Sequence, residues 1–66
     1  IQEAIRHLRH AVELSPDSAT APSDLGGALA QAGRTEEAVT HIRLALTIDP
    51  DNTAARENLL RLQRVR

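Results

Sequence analysis

Sixty-six residues suffice for one small domain, and a chain of that size hides only about 60% of its unfolded surface on folding. Cysteine, Phe, Tyr and Trp are all absent, which excludes disulfides and thiolate metal sites and leaves Leu, Ile, Val and Ala to build the core. The formal net charge of −1 gives no global attraction for nucleic acid or an anionic membrane, and no apolar run approaches the roughly 20 residues that cross a bilayer.

Ala4, Ile5, Leu8, Ala11 and Val12 recur at the i, i+3, i+4, i+7 spacing of an amphipathic helix. Pro16 ends that helix, and Ser18 is placed to cap the next. Leu25, Ala28, Leu29 and Ala32 form a second stripe, stopped by Gly33, a residue suited to a left-handed C-terminal position. Thr35 is placed to cap a third helix, with Glu36 and Glu37 near the positive end of its dipole. Val39, Ile42 and Leu46 continue its apolar face until Asp49-Pro50 closes it. Asn52 is placed to cap a fourth helix carrying Leu59, Leu60, Leu62 and Val65. Nothing alternates with period two, and connections of about two to four residues make successive helices antiparallel neighbours. The expected fold is all-α, an antiparallel stack of four helices. No signal peptide is visible; Ile1 already lies inside a helical pattern, so the chain reads as part of something longer, soluble and by default cytoplasmic.

Sliding the sequence against itself by 34 residues pairs Glu3 with Glu37, Ala4 with Ala38, His7 with His41, Arg9 with Arg43, Ala11 with Ala45, and Pro16-Asp17 with Pro50-Asp51. Four further pairs exchange one aliphatic side chain for another: Ile5 with Val39, Leu8 with Ile42, Val12 with Leu46, and Leu14 with Ile48. One offset accounts for all of them, and it continues through Ala21 over Ala55 and Leu25 over Leu59.

This period, with small residues at fixed places, resembles the tetratricopeptide repeat, a helix-turn-helix unit that stacks into an α-solenoid. The resemblance covers the whole chain. One full unit would run over 19–52, with Leu25-Gly26 as the Leu-Gly pair, Ala38 and Ala45 as the small residues of the second helix, and Pro50 at the close. Residues 1–18 look like the second helix of a preceding unit, with Ala4, Leu8, Ala11 and Pro16 at the matching places. Residues 53–66 look like a capping or truncated helix, because Leu60 stands where the glycine of the pair would admit another helix. The family's aromatic positions hold Pro22, Leu29, and Ile42 or Leu8. Gly26 is expected to cross closely against Ala38.

The resemblance implies a module that binds a protein or peptide in a concave groove lined by the first helices of its units. Transferred by register, the groove candidates are Thr20, Ser23, Asp24, Gly27 and Gln31, followed by Ala54, Glu57, Asn58 and Arg61. The Lys/Asn/Arg set with which some members clamp a terminal carboxylate is absent. The last helix holds four Arg against one Glu, and reads as a solvated outer face; no aromatic platform for bases accompanies it. His7 and His10, with Glu3, stand at a spacing open to a weak metal site, but His7 and His41 share one repeat position and all read as solvated. No cofactor and no metal are implied. No nucleophile, base and orienting group come together, and Ser15, Ser18 and Ser23 read as turn and cap residues, so the chain is expected not to be an enzyme. Two other readings compete with the binding module. One is self-assembly into homo-oligomers through apolar edges, with Ile5, Leu8 and Val12 left uncovered on the first helix. The other is a recognition array attached to a larger enzyme.

Overall fold

Four helices follow one another: α1 (Gln2–Leu14), α2 (Thr20–Gln31), α3 (Thr35–Ile48) and α4 (Thr53–Val65). They come from a computed structural model that describes residues 2–65, with side-chain environments through residue 64. Ile1, Arg66 and the side chain of Val65, all used in the sequence reading, lie outside what is described. Among the described residues there is no strand, as the absence of period-two alternation predicts.

Each connection has its own chemistry. At the first, Pro16 sits in the turn after α1, and Ser18 Oγ accepts a hydrogen bond from the Thr20 N–H at 3.3 Å. Ala19 already has helical angles, φ −81° and ψ −19°, so Ser18 stands where a cap must stand. At the second, Gly33 takes φ +82°; its N–H donates to Ala30 O at 3.1 Å while the Arg34 N–H reaches back to Leu29 O at 2.9 Å. This paired closure satisfies carbonyls that a helix end otherwise strands.

α3 begins directly after that closure, and here the cap expected of Thr35 is not found. Arg34, at φ −94° and ψ 68°, is the residue preceding the helix, and no side chain caps it. The second connection is so short that Thr35 already belongs to the first turn. Glu36 and Glu37 do lie in that turn, where their charges favour the helix dipole. At the third connection Asp49 is extended, φ −140° and ψ 92°, as a residue preceding proline is forced to be. Asn52 Oδ1 then accepts from the Ala55 N–H at 2.9 Å and caps α4 as predicted.

Two apolar clusters hold the stack. Ile5, Leu25, Leu29 and Ala38 form one, with Leu8, Val12, Ala28 and Ala32 packed on it; Ala19, Ile42, Ala45 and Ala55 form the other, with Leu46, Ile48 and Leu59 around it. Leu62 of α4 touches both. α2 packs against every other helix, and α3 also against α4. The close crossing expected at Gly26 is present: a methyl group there would strike the Ile42 side chain and come within 3.1 Å of Ala38 O. Ala38, Ile42 and Ala45 are fully buried.

One expectation is corrected. Ile5, Leu8 and Val12 do not form a bare edge on α1. Ile5 is only 3% exposed, and Leu8 and Val12 pack on the same cluster, because α2 and not a preceding helix covers that stripe. Among the described residues, the apolar side chains that stay open are Ala4 and Leu14 on α1 and Ala54 and Leu60 on α4. The Cα trace measures 31 × 27 × 14 Å, a thin slab. No helix of the described residues is long and apolar enough to cross a membrane.

Candidate groove between the second and fourth helices

Ser23, Gly27, Ala30 and Gln31 lie at i, i+4, i+7 and i+8 along α2, which sets them in one stripe. α4 brings Asn58 and Arg61, three residues apart and therefore on one face, across from that stripe. Between them opens a solvent-facing groove of about 640 Å³, lined also by Asp24, Ala28, Thr35 and Leu62. That size falls in the range of small ligand clefts.

The groove therefore gathers Ser23, Asp24, Gly27, Gln31, Asn58 and Arg61, six of the residues read from the sequence. It does not include Thr20, Ala54 or Glu57, all of them exposed elsewhere. Thr20 and Ala54 sit in the opening turns of α2 and α4, beyond the groove's end, and Glu57 is turned about 100° from Asn58 around its helix. Ala28, Ala30, Thr35 and Leu62 were missed. Ala30 was readable from the stripe itself; Thr35 enters only because the tight Gly33 closure folds the start of α3 back toward the groove.

Asp24 and Arg61 bring opposite charges to the lining and form no ion pair with each other within 4.0 Å. Gly27 leaves bare helix backbone in the wall. A methyl group built there would meet only Asn58 Nδ2, at 3.8 Å. Ser23, expected to be a turn or cap residue, is instead inside α2, 2% exposed, with Oγ buried and unpartnered. Helix packing around a half-polar stripe decides that burial, which local turn chemistry could not reveal.

A different set of charges joins α1 to α3. Arg9 meets Glu37 at 3.1 Å, and Arg34 lies 3.9 Å from the same carboxylate. These pairs are half exposed and contribute about 0–1 kcal/mol each. His41 lies nearby and is partly buried, with Nδ1 enclosed and unpartnered, so it is not the solvated residue that its sequence position led us to expect. Burial lowers its pKa from the ordinary 6.5, the Arg9 charge lowers it further, and Glu37 opposes both. His7 and His10 are exposed. Among the described residues no three His, Asp or Glu side chains are grouped to hold a metal ion.

No curated protein and no solved structure matches the chain. The description of the tetratricopeptide repeat family matches residues 1–62, nearly the whole length and across all four helices. With the 34-residue period, the Gly26 crossing and the stacked helices already in place, the chain belongs to the tetratricopeptide repeat family.

Proposed function

We propose that the chain is a protein-interaction module that holds a peptide segment of its partner in the groove between α2 and α4. Tetratricopeptide repeats generally mediate protein–protein interaction, and the family is typically not catalytic. The observation that carries the groove reading is the convergence of Ser23, Asp24, Gly27, Gln31, Asn58 and Arg61 from two helices onto one open face. Amide, hydroxyl and single opposite charges on a shallow surface suit a peptide main chain with mixed side chains. In this reading residues 19–52 form one complete unit, flanked by the half-units 1–18 and 53–66.

The test is a titration of isotope-labelled chain with a defined pool of end-blocked octapeptides, followed by amide resonance. Binding should shift Asp24, Gln31, Asn58 and Arg61. Shifts confined to the opposite helices, for example at Thr40, Arg43 and Thr47, would show that the groove is not the binding face.

A further inference from the structure

His7 and His41 hold one repeat position, yet the fold treats them differently. His7 is exposed, whereas the His41 ring is partly buried with Nδ1 enclosed and unpartnered. The difference is the neighbour, since α3 has α1 beside it there. Around α3, Ala38, Ile42 and Ala45 form the buried stripe. Leu46 lies on its α4 side with Ala55 and Leu59, while Glu37 and His41, four residues apart, share the other side, toward α1. Arg9 crosses from α1 to Glu37 at 3.1 Å. α1 is lightly seated. Among the described residues its backbone packs against α2 alone, and Arg9–Glu37 is the one ion pair that ties it to α3.

The charges around the ring come from two helices. Arg9 reaches it from α1; Arg6 and Glu13, a turn before and after, are exposed, and Glu13 lies 3.8 Å from His10. Glu37 reaches it from α3 itself, and Arg34 approaches that carboxylate at 3.9 Å. Asp24, the one charged residue of α2, lines the groove, and α4 meets α3 on the Leu46 side. A proton on His41 therefore has Arg9 as a like charge and no acceptor for the enclosed nitrogen. Burial first, and then Arg9, disfavour the charged ring against the pull of Glu37. Lifting α1 away removes Arg9 and opens the ring to water, so the lifted form takes the proton more readily.

We propose that His41 is an acid-sensitive latch on α1: a proton on its ring sets a second cation beside Arg9, draws Glu37 back onto its own helix, and frees α1 while α2, α3 and α4 stay together. Glu37 before His41 is the favourable i, i+4 order for such a pair within one helix. Release uncovers the flank of Leu25 and Leu29 against which Ile5 is packed. α1 lends no residue to the groove, so the latch stands apart from the binding reading. Its window lies below the ordinary 6.5, where the seated form is still neutral and the released form is not.

The experiment follows amide hydrogen exchange of the intact chain at about pH 7.5 and about pH 5.5, each amide referred to its own unstructured rate. Amides of α1 from Leu8 to Val12 should lose protection at the lower pH by up to about tenfold, the ceiling that one histidine with an ordinary value of 6.5 can set there. Those of α3 at Ile42 and Leu46 should hold theirs, and H41Q should abolish the response. Because replacing a half-enclosed ring can disturb packing, the parent and R9Q are also compared through the His41 ring proton resonance, which should titrate at higher pH without Arg9. Equal loss of protection across all four helices would mean general unfolding and no latch. A loss in α1 that persists in H41Q, or a His41 titration unmoved in R9Q, would overturn the proposal as well.

Discussion

A methyl group added at Gly26 is driven into Ile42 and to 3.1 Å from Ala38 O, within the seam of α2 and α3. Gly26→Ala should therefore cost about 1–3 kcal/mol through overpacking. Gly33→Ala should cost about 1–2 kcal/mol for another reason, the positive φ, since open space surrounds it. Urea unfolding of asparagine variants separates the two causes: Asn tolerates a left-handed position at Gly33 but cannot enter the crossing at Gly26. Both glycines were legible in the sequence, one from the Leu25-Gly26 pair of the family resemblance and one from its place after an apolar stripe. His41 was not, because the offset gives it the same position as exposed His7, while only the stacking of helices encloses its ring. Its lowered pKa means that the unfolded chain takes up the proton first. Stability is thus full above the ordinary 6.5 and falls as pH drops from there toward the folded value. His41→Gln should flatten the change in unfolding midpoint measured between about pH 7.5 and pH 5.5.

The helices differ in what begins them. α4 depends on Asn52, whose Oδ1 binds the Ala55 N–H at 2.9 Å, so Asn52→Ala should lower stability by about 1 kcal/mol. Thr35→Ala should change it by less than about 0.5 kcal/mol, since the hydroxyl caps nothing. Paired thermal melts of the two variants check the contrast. The four helices, their order and the Asn52 cap were readable because apolar periodicity and cap chemistry are local signals. The failed Thr35 cap was not readable, since the Gly33 closure consumes Arg34 and leaves no residue between turn and helix. Repeat register fixes helix faces, and six of the groove candidates share one open face for that reason. Thr20, Ala54 and Glu57 lie outside its lining, because the exact angle and overlap of α2 with α4 decide which residues border it.

Across the whole molecule, the two clusters meet at Leu62, whereas Leu60, two residues earlier, is 57% exposed. Leu62→Ala should cost about 2 kcal/mol by opening space against both clusters, while Leu60→Ala stays within about 0.5 kcal/mol. Chemical denaturation at equal protein concentration distinguishes them. The sequence could place both leucines on α4 but not rank them, because the covering face is set by α2 and α3 together. The slab is 14 Å thin across its Cα trace, so no backbone amide lies deeper than about one helix radius plus side chains from water. Hydrogen–deuterium exchange should accordingly show no deeply slow core set apart from the rest. Protection should instead fall in steps outward from α2, which touches every other helix, and a bound peptide lying along α2 would slow exchange across the thickness of the molecule, reaching amides it never contacts.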